Sequence, residues 1–116
     1  MRTVSAILAG IALLAVVSAC RAGGIDPATV HAKIKAGALV VDVRTPAEFA
    51  AGAYPGATNI PLAEIEQRLA DFGDHKRAIV VYCRSGNRSG QAKVILEKNG
   101  FSDITNGGAF KDMPPR

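Results

Sequence analysis

Ala78-Ile79-Val80-Val81-Tyr82-Cys83-Arg84-Ser85-Gly86-Asn87-Arg88-Ser89 is an apolar run that breaks abruptly into small polar and cationic residues. Ala78 to Tyr82 is rich in β-branched residues and does not alternate with polar ones, the pattern of a strand buried on both faces of a parallel sheet. That strand delivers Cys83 at its C-terminal end, and ligands of an open parallel sheet bind beyond such ends. Gly86 and the small residues Ser85, Asn87 and Ser89 let the following turn curl tightly, so that successive N–H groups point inward as an anion nest. A helix read over Ser89 to Asn99, with Val94 and Ile95 apolar and Gly100 as terminator, adds the positive end of its dipole. Arg84 and Arg88 add formal charge. All three effects favour a thiolate at Cys83, the form that acts as a nucleophile.

Working outward, the chain alternates strands with helices. Asp26 reads as an N-cap with Pro27 at the first helical position, Val30 and Ile34 share one face, and Gly37 ends the helix. Ala38 to Val43 is a second continuous apolar run, hence a second buried strand. Thr45-Pro46-Ala47-Glu48 fits a capping box, and the short helix it starts should stop at Gly52. Tyr54-Pro55-Gly56-Ala57 is a turn and Thr58-Asn59-Ile60-Pro61 a short strand. Leu62, Ile65, Leu69 and Phe72 fall at helical spacing, which predicts an amphipathic helix over residues 62–72. Asp103 to Asn106 reads as a last short strand before Gly107-Gly108, with one more helical turn over residues 109–113. This order predicts an α/β domain with a mainly parallel central sheet flanked by helices.

The first residues have a different character. Met1-Arg2 carries one positive side chain, and Val4 to Val17 runs without a charge. That length suits the apolar region of a signal peptide and is short for a membrane span. Val17-Ser18-Ala19-Cys20 resembles the lipobox of bacterial lipoproteins, in which the cysteine becomes the lipidated N-terminus. The expected organisation is a signal peptide over residues 1–19, a lipidated Cys20 with a short tether over residues 20–24, and the folded domain over residues 25–116. The expected location is the bacterial periplasm or cell envelope, with the protein anchored to a membrane at Cys20. Val17 and Ala19 also satisfy an ordinary cleavage site. The two cysteines permit at most one internal disulfide, Cys20–Cys83, which lipidation would preclude.

The chain has 116 residues, with 14 Lys and Arg against 10 Asp and Glu, a formal charge of +4. Removing residues 1–19 takes away Arg2 among the charged residues, so +4 becomes +3. The basic residues are scattered, which argues against a nucleic-acid stripe and is compatible with small anionic substrates. His31 and His75 are far apart with no ligand spacing, so no metal site is expected. No apolar surface stripe stands out, and a monomer is expected.

Four passages make the chain resemble the single-domain rhodanese-like sulfurtransferases. They are Asp42-Val43-Arg44-Thr45-Pro46-Ala47-Glu48-Phe49, the stretch from Gly52 to Pro61, Tyr82 to Ser89, and Asn106-Gly107-Gly108. The resemblance implies that Cys83 takes a sulfane sulfur from a donor such as thiosulfate and passes it to a thiophilic acceptor. It further implies that Arg84, Ser85, Gly86, Asn87 and Arg88 bind the sulfur and the donor oxyanion. Ser89, Asp42 and Arg44 are read as loop support, Asp42 and Arg44 equally well as a local ion pair. No cofactor is called for. With Cys20 modified or tethered away, no resolving thiol is evident, so the acceptor must be external: cyanide in an assay, a small thiol or thioredoxin-like protein in the cell. The chain departs from the family at Ala53-Tyr54 and at Phe110, where the family often has a His-Ile pair and a Trp.

Two other functions share these features. Cys-based phosphatases and arsenate reductases also use a cysteine, an N–H cradle and an arginine. They place five residues between Cys and Arg, whereas Arg84 to Asn87 makes four, a loop suited to a single sulfur atom. A non-catalytic module that binds a partner or senses redox state is the other alternative, because fold does not fix function.

Overall fold

The computed structural model describes residues 24–116. The expected signal peptide and the expected lipid attachment at Cys20 lie outside the described residues. Four strands pair in the order β2-β1-β3-β4, all parallel. They are β1 (Leu39–Asp42), β2 (Thr58–Asn59), β3 (Ile79–Cys83) and β4 (Ile104–Ala109). Helix α1 (Pro27–Lys35) precedes β1, α2 (Pro46–Ala51) lies between β1 and β2, and α3 (Asn87–Lys98) lies between β3 and β4.

The helix starts follow their capping chemistry. The Asp26 side chain accepts from the Ala28 N–H ahead of α1, and Pro27 occupies its first turn. At α2, the Thr45 hydroxyl accepts from the Glu48 N–H while the Glu48 carboxylate accepts from the Thr45 N–H, a complete capping box. Each supplies partners for N–H groups that the first turn of a helix leaves free.

The two central strands bury both faces, as continuous apolar runs require. Val41, Val43, Ile79, Val81 and Cys83 face one side, where Ala92 and Leu96 of α3 pack with Ile60, Ile65, Phe72 and Phe101. Val40, Val80 and Tyr82 face the other, against Val30 and Ile34 of α1 and against Tyr54.

The structure departs from the sequence reading in three places. Residues 62–72 form two 3-10 turns, Leu62–Gln67 and Leu69–Phe72, separated at Arg68. A 3-10 turn eclipses residues three apart, so Leu62 with Ile65 and Leu69 with Phe72 each share a face without a continuous α-helix. Second, α3 starts at Asn87, two residues earlier than expected. Its buried face is Ser89, Ala92 and Leu96, which leaves Val94 on the opposite side and 49 % exposed. Third, β4 runs on through the glycine pair, with a register shift opposite Val81 and Tyr82. The bulge re-aims the strand end, and Gly108 is brought beside the turn that follows Cys83. The sheet and its helices thus place the ends of β1, β3 and β4 together at one edge, as the α/β reading requires.

Candidate active site

The site is built on the C-terminal ends of β1 and β3. Asp42 ends β1 with no exposed surface, and Arg44 beside it is 6 % exposed. A buried carboxylate must be matched by charge and hydrogen bonds. Asp42 accepts from the Arg44 N–H and Nε at 2.9 Å each through Oδ1, and from Arg44 Nη2 at 2.6 Å and the Tyr82 hydroxyl at 2.8 Å through Oδ2. Arg44 Nη2 also donates to the Gly52 carbonyl at 2.8 Å, and the guanidinium lies 4.7 Å from the Phe110 ring centroid. Asp42 raises the Arg44 pKa further, and burial pushes the Tyr82 phenol up to about 12. Tyr82 therefore remains a protonated donor to Asp42 at neutral pH. The hydrogen bonds of Asp42 and Arg44 run to each other, Tyr82, Gly52 and Asn59 rather than to the Cys83 turn. Of the two roles read from sequence, the geometry is that of the local ion pair.

Cys83 closes β3, and three residues later Gly86 caps α3 in the left-handed region, at φ +94°. A side chain there would be strained. It would also meet Gly108, itself at φ +82°, whose Cα lies 3.4 Å from the Cβ that Gly86 lacks. This close approach of two backbones lets β4 press against the turn. The turn is thus shorter than the stretch from Arg84 to Arg88 read from the sequence, and the first turn of α3 supplies the rest of the cradle.

The Cys83 Sγ accepts from the Gly86 N–H at 3.0 Å and from the Ser89 N–H at 3.4 Å, and the Ser89 hydroxyl oxygen lies 3.4 Å away. Burial pushes the Cys83 thiol up, but the Ser89 hydroxyl and the N–H groups of Ser89, Ser85 and Gly86 pull it down, and the net direction is down. The cradle of N–H donors expected from the sequence is present. The cationic part of that expectation changes. Arg88 forms a two-point ion pair with Glu48, at 2.7 and 3.0 Å. Arg84 is exposed and makes no side-chain hydrogen bond or ion pair among the described residues. Neither guanidinium hydrogen-bonds the sulfur; neutral donors hold it directly, and Arg88 favours the thiolate through space.

Glu48 is the residue that the sequence concealed. Its carboxylate serves both the capping box and Arg88, and Arg88 in particular holds it down to about 2. The pair therefore stays charged throughout the range in which a cysteine titrates. Asn106, read from sequence as a strand residue, joins the site through Ser89 and Gly86. Ser85 and Asn87 are both exposed on the turn. His75 is exposed, with its ring 4.4 Å from that of Phe101. Among the described residues, no group of three or more His, Cys, Asp or Glu could hold a metal.

A cavity of about 900 Å³ opens over this edge of the sheet, lined among others by Arg44, Arg84, Ser85, Arg88, Phe110 and Lys111. Among the described residues Arg44 Nη1 carries no hydrogen bond and no buried side-chain nitrogen lacks a partner, so Nη1 is open to solvent. The mouth thus presents four cationic side chains, two of them paired with carboxylates. Cys83 itself has no exposed surface and lies beneath the turn.

A parallel α/β sheet that sets a cysteine in an N–H cradle at a helix start defines the class, and the sequence comparisons agree. The Rhodanese-like domain profile matches residues 26–109, and the chain belongs to that family. It is 40 % identical over 74 residues to the thiosulfate sulfurtransferase PspE of Escherichia coli, a match covering 63 % of this chain and 71 % of that protein. It is 43 % identical over 68 residues to a sulfurtransferase of Allochromatium vinosum, covering 59 % of this chain and 63 % of its relative. Among solved structures, a rhodanese from E. coli described with anions superposes with TM-score 0.62 at 40 % identity, covering 66 % of this chain and 93 % of that one. The human single-domain sulfurtransferase TSTD1 gives 0.67 at 30 % identity, covering 73 % and 88 %. The protein is a thiosulfate sulfurtransferase-like enzyme.

Proposed function

We propose that the protein moves sulfane sulfur from thiosulfate, or from a small anionic persulfide, to an external thiophilic acceptor through a persulfide on Cys83. The convergence of the Gly86 and Ser89 N–H groups on Sγ carries this reading. The Cys83 thiolate attacks the outer sulfur of thiosulfate. The new Sγ–S bond forms as the bond to the sulfonate sulfur breaks, and sulfite leaves with that electron pair. The enzyme keeps one negative charge, now on the outer persulfide sulfur, where backbone N–H groups of the turn and the N-terminus of α3 favour an anion. An acceptor then attacks the outer sulfur and returns the thiolate: cyanide in an assay, a small thiol or thioredoxin-like protein in the cell. Production of thiocyanate from thiosulfate and cyanide tests this reading.

The phosphatase alternative loses support from the Glu48–Arg88 pair. A phosphoryl cradle needs its arginine turned on the substrate oxygens, whereas Arg88 has both terminal nitrogens on Glu48.

The cationic mouth gathers an anionic donor from solution. Arg84→Ala is expected to raise KM for thiosulfate about two- to fivefold at low salt with kcat little changed, the effect fading as salt screens the charge. Arg88→Ala is expected to weaken donor binding more, because it also leaves the Glu48 carboxylate uncompensated at the mouth. Steady-state kinetics at two ionic strengths check both, and an unchanged KM in Arg88→Ala would remove that residue from donor binding.

The domain is further proposed to be exported and held at a membrane through a lipid on Cys20. Six residues separate Cys20 from Pro27, the first residue of α1. Such a tether reaches at most ~25 Å and would keep the domain near the surface. Partition into the detergent phase, lost in Cys20→Ser, is the expected result. Equal partition of both proteins would leave the ordinary cleavage site as the better reading.

A further inference from the structure

Ser89 has one hydroxyl proton and two neighbours that can take it. Its Oγ is 2.7 Å from Asn106 Oδ1 and 3.4 Å from Cys83 Sγ. The orientation of the Asn106 amide is fixed by groups with no choice of role. Oδ1 accepts the Gly108 N–H at 2.9 Å, and Nδ2 donates to the Gly86 carbonyl at 3.3 Å. A flipped amide would set N–H against N–H and oxygen against oxygen. Ser89 must therefore donate to Asn106 Oδ1, and in this arrangement its lone pairs face the sulfur. The thiol satisfies that geometry by donating S–H to Ser89 Oγ. A thiolate does not, because two electron-rich atoms would then face each other.

We propose that Asn106 is a positioning residue that competes with Cys83 for the Ser89 hydroxyl proton, so that this hydroxyl turns between the two as charge arrives at and leaves Sγ. In the thiol, Ser89 donates to Asn106. When Sγ loses its proton to solvent, the Ser89 O–H turns to Sγ and Asn106 keeps the Gly108 N–H. When a sulfur is loaded, the charge moves to the outer atom and the hydroxyl returns to Asn106. When the acceptor removes that sulfur, the hydroxyl turns again to the thiolate that leaves. The Ser89 O–H bond is never broken, and no further reactant is needed. The inference deepens the sulfur-transfer reading above, in that it takes Cys83 as the group that cycles between these charge states.

The charged groups around the turn are Arg88 on α3, Glu48 on α2, Asp42 at the end of β1, Arg44 after it, Arg84 in the turn, and Lys111 and Asp112 at the cavity mouth. The variants chosen below keep all of them. The test follows the ultraviolet absorbance of the thiolate against pH in the full chain carrying Cys20→Ser, so that Cys83 is the titrating thiol. At a fixed pH below the midpoint, Asn106→Ala is expected to raise the thiolate fraction about fivefold, the worth of one net hydrogen bond. Ser89→Ala is expected to lower it by a similar factor. Combined with Ser89→Ala, Asn106→Ala should have no further effect, because the shared proton is gone. A role in loop support alone would let Asn106→Ala act just as strongly in the Ser89→Ala background. That result, or a thiolate fraction that does not rise in Asn106→Ala, overturns the inference. No sulfur donor is present in the titration, so failure of Cys83 to load sulfur would sink the transfer reading and its two loading steps, and leave the competition between Asn106 and the Cys83 thiolate standing.

Discussion

Cys83→Ser is expected to reduce thiocyanate formation from thiosulfate and cyanide by at least about a thousandfold while leaving the fold intact. The reasons are chemical and local. A hydroxyl is not ionised near neutral pH, and the N–H groups that draw a thiol toward thiolate cannot bring an alcohol that far. Sulfur also forms the exchangeable S–S bond on which the transfer depends. The substitution is nearly isosteric at a site with no exposed surface, between two N–H donors that the serine oxygen can also satisfy. Circular dichroism and the urea midpoint should therefore change little, and the loss can be assigned to chemistry. Residual activity within tenfold of wild type would mean that sulfur travels by another route.

Asp42→Ala is expected to cost about 3–5 kcal/mol of stability. It removes the carboxylate that holds three donors of Arg44 and the Tyr82 hydroxyl, all in the interior. The guanidinium left behind is 6 % exposed and has no second carboxylate within ion-pair distance among the described residues. Against a total of about 5–15 kcal/mol for a domain, that is a large share. Urea unfolding reads it directly. The double variant Asp42→Ala/Arg44→Met should be less unstable than Asp42→Ala, because no uncompensated charge remains. A cost below about 1 kcal/mol for the single variant would place the pair with ordinary surface ion pairs.

Much of the fold was legible because its signals are local. Asp26-Pro27 and the Thr45–Glu48 box act within one helical turn. The runs before Asp42 and Cys83 report burial on both faces without reference to partners. The 3-10 turns over residues 62–72 were not legible, since the spacing of Leu62, Ile65, Leu69 and Phe72 suits one α-helix as well as two tighter turns. The start of α3 was misplaced because a left-handed Gly86 can cap a helix without a side chain, and sequence marks such caps poorly.

The N–H cradle around Cys83 was legible in the sequence, and the ion pairs around it were not. Small residues around Gly86 announce an N–H cradle, and the structure supplies it from Gly86 and Ser89. The partner of Arg88 is 40 residues away in the chain, and the Thr45 box already accounts for Glu48. The same holds for Asn106, whose role depends on a bulge that brings Gly108 beside Gly86. Pairings across the sheet edge come from topology, which periodicity does not encode.

The most direct test is the mass of the reduced full chain after exposure to thiosulfate, with the modified peptide mapped and Cys83→Ser run beside it. A persulfide at Cys83 predicts a gain of one sulfur atom on the peptide containing Cys83, absent from the variant and removed by cyanide. A folded, reduced protein that gains no sulfur there from thiosulfate or from a persulfide donor would contradict sulfur transfer through Cys83.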